Sequence, residues 1–181
     1  KSISDNSNMT LLGIDAATTG RLALVEEKTL SSAKYLKNIK NITIITNSLA
    51  SMSLCSEYDI NSFFAGGQLN PENRSCCIGA HTEQFIDSVH ADFCFFSVQS
   101  LTKDGILYDC FFNEVIPRQL MIKNSEKKVF LCDNSKINHY SAYKLCDIST
   151  LNYIISDINI EGYLDKDYPD IKFLYDKNTN P

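Results

Sequence analysis

The chain has 181 residues, 44% of them hydrophobic and 22% charged, with a formal net charge of −5. This size and composition suit one globular domain with a full core and exclude an intrinsically disordered chain. The acidic balance is the opposite of what a phosphate-backbone-binding surface needs, so we expect this chain not to bind nucleic acid by itself.

Short apolar runs alternate along the chain with polar tips and helical patterns. The predicted strands are MTLLGID (9–15), NITIIT (41–46), INSFFA (60–65), DFCFFSV (92–98), KKVFLC (127–132), LNYIIS (151–156) and IKFLY (171–175). The helical patterns are SSAKYLKN (31–38), NSLASMSLCSEY (47–58), CIGAHTEQFIDSV (77–89) and NEVIPRQLMIKNS (113–125), and a loop with YKLCDIST (143–150) takes the corresponding place after the fifth strand. Near-continuous apolar strands alternating with helices predict an α/β fold, with a mostly parallel sheet and helices on both faces.

In such a sheet the carboxyl ends of the strands line one edge, and ligands bind in the crevice there. Residues that follow the predicted strands should therefore be neighbours in space, and they form the candidate binding set. These residues are Asp15, Ala17, Thr18, Thr19, Gly20, Thr46, Asn47, Ser48, Gly66, Gly67, Ser100, Asp133 and Lys136.

The first tip, IDAATTG, has small residues and two hydroxyls between a strand and a helix. Free N–H groups at a helix start, joined by the hydroxyls of Thr18 and Thr19, suit a phosphate-binding turn. Simple N-capping by threonine is the alternative.

The later tips have similar alternatives. Asn47 and Ser48 suit either the orientation of ligand hydroxyls or the start of a helix. Gly66 and Gly67 indicate a left-handed turn or a close backbone approach. Lys136 is a point charge suited to an anionic ligand, and Asp133 could hold its ammonium or accept bonds from sugar hydroxyls; an ordinary turn is the alternative.

Taken in order, the tips resemble the effector-binding domain of the DeoR family of bacterial transcriptional regulators. The resemblance runs from about residue 41 to residue 157 and rests on TNS, on the GG pair, on the Asp-x-Ser-Lys tip at Asp133–Lys136 and on the final IISD. It implies a Rossmann-like fold shared with ribose-5-phosphate isomerase, glucosamine-6-phosphate deaminase and CoA transferases. It also implies a sensor of phosphorylated sugars or related metabolites, coupled to an N-terminal winged helix-turn-helix.

By this resemblance, residues 15–20 match the family's Asp-x-Gly-Thr-Thr phosphate loop, with Ala17 where the family usually has Gly. A shifted alignment places Glu27, Lys28 and Thr29 at that loop instead. Ser97 and Ser100 stand at a tip where family members tend to carry Gly, and hydroxyls there would narrow the pocket.

The resulting expectation is a single effector-binding domain over residues 1–181, with 1–9 as the remnant of a linker and the DNA-binding domain absent. Its ligand would be a phosphorylated sugar or related metabolite, and it would form a homo-oligomer in the cytoplasm, contact DNA only through the absent domain and contact no membrane. No catalysis, cofactor or metal is expected. Two other readings remain open: a sugar-phosphate isomerase or deaminase, with a base among Asp15, Asp104, Asp109, Glu114 and Asp133, and an interaction domain that has lost its ligand.

Overall fold

The computed structural model describes residues 21–25 and 42–175. Within them, three α-helices are α1 (Leu49–Glu57), α2 (Ala80–Asp87) and α3 (Phe112–Lys123). The strands are β1 (Arg21–Val25), β2 (Ile42–Thr46), β3 (Asn61–Phe64), β4 (Gln68–Leu69), β5 (Cys77–Ile78), β6 (Ala91–Phe96), β7 (Ser100–Leu101), β8 (Ile106–Asp109), β9 (Ser125–Cys132), β10 (Tyr143–Asp147), β11 (Tyr153–Ser156) and β12 (Lys172–Tyr175). None of the helices in these ranges is long and apolar enough to cross a membrane.

Seven of the strands form one sheet, in the order β12-β11-β9-β6-β1-β2-β3. Every neighbouring pair in it is parallel. Its central strand β6 reads ADFCFF and is almost wholly buried, as expected of a strand covered on both faces.

The core lies on both sides of this sheet, because successive side chains of a strand point to opposite faces. In β6, Phe93 and Phe95 pack into one cluster, and Cys94 and Phe96 pack into the other. Helix α1 contributes Cys55 to the first cluster, whereas α2 and α3 pack into the second. The predicted α/β fold, with a mostly parallel sheet and helices on both faces, is therefore confirmed.

The second cluster is built around large buried aromatic side chains. Phe96 and Phe130 are fully buried, and their ring centroids lie 5.7 Å apart. Truncating either ring to alanine would cost about 3–5 kcal/mol of folding free energy, so the neighbouring strands β6 and β9 form a rigid base for the residues that follow them.

Strand β1 was not predicted. It is absent from the predicted strands, because its apolar run LALV is only four residues long and is flanked by Arg21 and Glu26. The predicted strand at 9–15 lies outside the described residues. Strand β1 pairs with both β2 and β6, so it occupies the centre of the edge where a ligand is expected.

A small three-stranded sheet, in the order β10-β8-β7, was also missed. The segment YKLCDIST, expected in the place of a helix, forms β10 and pairs antiparallel with β8. A 3-10 turn at Ile148–Thr150 follows, because the Asp147 carboxylate accepts a hydrogen bond from the Ser149 N–H at 2.8 Å. The segment is short, and its partner strand lies about 35 residues earlier, so local pattern favoured the wrong structure.

Candidate functional site

The order of the strands locates the expected crevice. From β1 the chain proceeds through β2 and β3 toward one side, and from β6 through β9, β11 and β12 toward the other. The order therefore reverses between β1 and β6, and ligands of open parallel sheets bind outside the carboxyl ends at such a reversal. The ends of β2 and β9 flank it on either side.

The end of β2 is tied into the protein by its own polar groups. The Thr46 hydroxyl accepts a hydrogen bond from the Ser48 N–H at 3.1 Å, and Ser48 Oγ caps α1 by accepting from the Ser51 N–H at 3.2 Å. The Asn47 side-chain amide donates to the Cys77 carbonyl at 2.8 Å. All three predicted residues are buried, and each of these side chains makes an internal hydrogen bond.

The glycine pair after β3 packs against the start of α2. The Thr82 hydroxyl donates to the Gly66 carbonyl at 3.0 Å. A Cβ added to Gly67 would collide with that hydroxyl and lie 2.8 Å from the Ile78 carbonyl oxygen. Gly66 has room, because the nearest atom to its Cβ would be a Phe64 ring carbon at 3.7 Å. Of the two readings offered for this pair, the structure has the close backbone approach, at Gly67, and no left-handed turn.

Ser100 is buried and does not narrow the crevice with an exposed hydroxyl. It donates to the His139 carbonyl at 2.5 Å, and the adjacent Leu101 makes a parallel bridge with Ile137. These contacts dock the segment that follows β9 against the start of β7, so Ser100 helps to place the turn that carries Lys136.

That turn, Asn134–Lys136, is the most accessible of the predicted tips. Asp133 accepts from the Ser135 N–H at 2.8 Å, and Asp157, after β11, accepts from the Asn134 N–H at 2.9 Å. Lys136 is partly exposed, and in the described part of the chain its ammonium has no hydrogen-bond or ion-pair partner. Strands lie about 4.8 Å apart, so the end of β9 is roughly 10 Å from that of β1.

The remaining predicted residues, Asp15, Ala17, Thr18, Thr19 and Gly20, lie outside the described residues, as do Glu27, Lys28 and Thr29 of the shifted alignment. What the structure does give is the strand between them. β1 ends at Val25, so the chain leaves its carboxyl end at that point.

Sequence reasoning missed a buried network beside this edge, although it had named two of its members as possible bases. Asp109, Glu114 and Arg118 are all buried, and Arg118 Nη1 pairs with Asp109 Oδ2 while its Nη2 lies 3.0 Å from Glu114 Oε2. Glu114 also receives hydrogen bonds from the segment between β4 and β5, called here the 70–76 loop. The spacing of Glu114 and Arg118 by four residues was the available signal.

The described edge has neither a cluster of metal ligands nor an activated thiol. Among the described residues, no group of three or more His, Cys, Asp or Glu side chains could hold a metal ion. Burial raises the pKa of the Cys132 thiol at the end of β9, and the neighbouring Asp133 carboxylate raises it further. A thiol kept protonated is a poor nucleophile.

Known proteins similar in sequence to this chain include transcriptional regulators. A family model described as the DeoR C-terminal sensor domain matches residues 7–158. The HTH-type transcriptional regulator GolR of Listeria innocua is 27% identical over 165 residues, which are 91% of this chain and 61% of that protein. The glycerol-3-phosphate regulon repressor of Escherichia coli is 28% identical over 126 residues, which are 69% of this chain and 50% of that protein. The chain thus matches half to three fifths of these relatives.

Among solved structures, the 4-hydroxybutyrate CoA-transferase of Porphyromonas gingivalis superposes with a TM-score of 0.51 at 12% identity, over 79% of this chain and 36% of that one. At this identity the likeness concerns the fold alone.

Proposed function

This chain belongs to the DeoR C-terminal sensor domain family, and on that premise we propose that it binds a phosphorylated sugar or related metabolite at the crevice between β1 and β6. Binding would control a DNA-binding region elsewhere in the full-length protein. A ligand shifts such a regulator only by its different affinity for two arrangements of the domain or of its assembly. We also propose that the protein forms a homo-oligomer, because the operator sequences of such regulators are usually bound by symmetric proteins.

The observation that carries the proposal is the Lys136 ammonium at the end of β9, partly exposed beside the reversal of strand order. A cation held at the ligand edge without a partner in the described part of the chain suits a phosphate group. Asp133 lies three residues before Lys136 and is also partly exposed, so one of its carboxylate oxygens can accept a hydrogen bond from a sugar hydroxyl.

The other candidate residues would act by shaping the crevice. Thr46, Asn47, Ser48, Gly66 and Gly67 fix the backbone around the end of β2, and Ser100 fixes the turn that carries the lysine. Of the two candidate phosphate turns, we favour the alignment with Glu27, Lys28 and Thr29, because these residues follow the carboxyl end of β1 and residues 15–20 precede the strand.

Two of the five candidate bases are unavailable for catalysis, and this favours sensing over sugar-phosphate isomerisation. An aldose–ketose enzyme needs a carboxylate poised over the substrate carbon. Asp109 and Glu114 are buried and paired with Arg118, so neither is available to take a proton from a ligand. We therefore propose that the domain has no catalytic activity.

A thermal-shift screen tests this function, with phosphorylated sugars, the matching unphosphorylated sugars and inorganic phosphate as the panel. A ligand at 100 times its dissociation constant should stabilise the fold by about 2.7 kcal/mol, which raises Tm by several degrees. We expect a shift with one sugar phosphate and none with its free sugar. A flat response to the whole panel, or turnover of the bound sugar phosphate, would contradict the proposal.

A further inference from the structure

Glu114 lies in the first turn of α3 and has hydrogen-bond donors at both carboxylate oxygens. Oε1 accepts from the side-chain amides of Asn70 and Asn73, each at 2.9 Å, and from the Cys76 thiol at 3.4 Å. Oε2 accepts from Arg118 at 3.0 Å. Hydrogen-bond donors thus surround the carboxyl group, and a proton on either oxygen would face another donor. This geometry suits the ionised carboxylate.

Three of these donors belong to the 70–76 loop, which is neither helix nor strand. The far side of this loop holds the end of β2. The Leu49 N–H donates to the Ser75 carbonyl at 2.8 Å, and the Cys77 N–H, just after the loop, donates to the Asn47 carbonyl at 2.8 Å. The carboxylate therefore anchors, through one layer of side chains, the backbone that frames one wall of the crevice.

A buried charge by itself adds little to folding stability, because the free energy lost on removing it from water is about as large as the free energy gained from its ion pair. A carboxylate with hydrogen-bond donors at both oxygens does fix the positions of those donors, because each must lie at a narrow range of angles and distances. The 70–76 loop has one isolated bridge, between Ser48 and Cys76, and the hydrogen bonds to the Glu114 carboxylate add a directional constraint on its side chains.

We propose that Glu114 is a positioning residue of the effector site: it holds the 70–76 loop against the end of β2 and so sets the shape of the crevice. The role is indirect, because the carboxylate is buried and its hydrogen bonds go to the 70–76 loop and to Arg118. The inference rests on the proposed function for the identity of the ligand, but the ordering of the loop is measurable without any ligand.

The first test compares hydrogen exchange in the ligand-free wild type, in Glu114→Gln and in Glu57→Gln. In Glu114→Gln the side chain keeps its shape, but its N–H groups face other donors. Glu57→Gln is the control: it removes the same charge at an exposed residue at the end of α1. In Glu114→Gln we expect exchange to quicken by about tenfold or more at Leu49, Asn70 and Cys77, with β11 unaffected, since one charge-assisted hydrogen bond is lost. Exchange that quickens equally in β11, or not at all, would overturn the inference.

The second test titrates the same variants with the sugar phosphate identified by the thermal-shift screen. Glu114→Gln should raise Kd by about tenfold or more and Glu57→Gln should leave it unchanged. An unchanged Kd in Glu114→Gln would overturn the positioning role even if the loop loosens. If the wild type binds no sugar phosphate, the proposed function fails, while the exchange result still decides whether Glu114 orders the loop.

Asn73→Ala covers the case in which Glu114→Gln does not fold. It removes one donor to the carboxylate, together with the acceptor of the Ser75 N–H at 3.3 Å, and leaves the pair with Arg118 intact. We expect the same local pattern of faster exchange, smaller in size; exchange unchanged at Leu49 and Cys77 would contradict the inference.

Discussion

The two sides of the proposed ligand edge use similar polar residues in different ways. On the side of β2 and β3, Thr46, Asn47 and Ser48 are buried, and the Gly66 carbonyl accepts a hydrogen bond from Thr82 of α2. The end of β2 is also bonded within itself and, through an isolated bridge between Ser48 and Cys76, to the 70–76 loop. On the side of β9 and β11, Asp133, Lys136 and Asp157 are partly exposed, and the lysine side chain makes no hydrogen bond or ion pair with the described residues. The first side is a scaffold and the second is available to a ligand.

This difference separates two kinds of mutational effect. Changes on the β2–β3 side should lower the free energy of unfolding, because they leave buried groups unpaired or crowded. Changes at the exposed side should leave folding almost intact and act on ligand affinity. The predictions below run from the largest expected effect on folding to the smallest.

Arg118→Met should have the largest effect, about 3–5 kcal/mol, because it leaves Asp109 and Glu114 buried without their cation. Urea unfolding measures the loss. Lys123→Met is the matched control: Lys123 is on the same helix, but its ion pair with Asp87 is exposed, so the cost should stay below about 1 kcal/mol. Equal losses in the two variants would contradict the distinction.

Gly67→Ala should cost about 1–3 kcal/mol, because its new methyl group would meet Thr82 and the Ile78 carbonyl oxygen. Gly66→Ala, one residue earlier, should change the unfolding free energy by less than about 0.5 kcal/mol. The midpoints of urea unfolding of the two variants measure this difference. A larger loss of stability in Gly66→Ala than in Gly67→Ala would show that the packing of this turn differs from the one described.

Ser48→Ala should cost about 1 kcal/mol, since the hydroxyl caps the first turn of α1. Ser53→Ala makes the same chemical change at an exposed position within that helix, where alanine is the better helix former, and should be neutral or slightly stabilising. Thermal unfolding should show a lower Tm for Ser48→Ala and an unchanged or slightly higher Tm for Ser53→Ala. A loss at Ser53 that matched the one at Ser48 would argue against the capping role.

Much of the fold could be predicted, because six of the seven strands of the large sheet are apolar runs bounded by polar tips or helical patterns. Strand β1 was missed because charges flank a run of four apolar residues, and only its pairing with β2 and β6 makes it a strand. Strand β10 was missed for the same reason, since it depends on a distant partner.

The site could be predicted only in outline, because capping a helix and binding a ligand require the same residue types. Asn47 and Ser48 have the chemistry for either task, and the bond from Asn47 to Cys77, thirty residues later, decides between them. Glu114 looked like one carboxylate on a helix, and its donor Asn70 lies 44 residues away in the chain. Long-range contacts of this kind leave no local pattern.

Lys136→Ala should have the smallest effect on folding, less than about 0.5 kcal/mol, because the side chain is partly exposed and makes no bond within the described ranges. Its effect should appear in ligand binding instead. A large loss of stability would show that the lysine belongs to the scaffold.

Calorimetric titration of the wild type, Lys136→Ala and Lys166→Ala with the sugar phosphate found by screening tests the central claim most directly. Lys166 is exposed in the segment before β12 and provides the same change of charge. We predict that Lys136→Ala raises Kd by about tenfold or more, as expected for the loss of one charge-assisted contact to phosphate, and that Lys166→Ala leaves Kd unchanged. Equal affinity in all three proteins would contradict an effector site at the carboxyl ends of these strands.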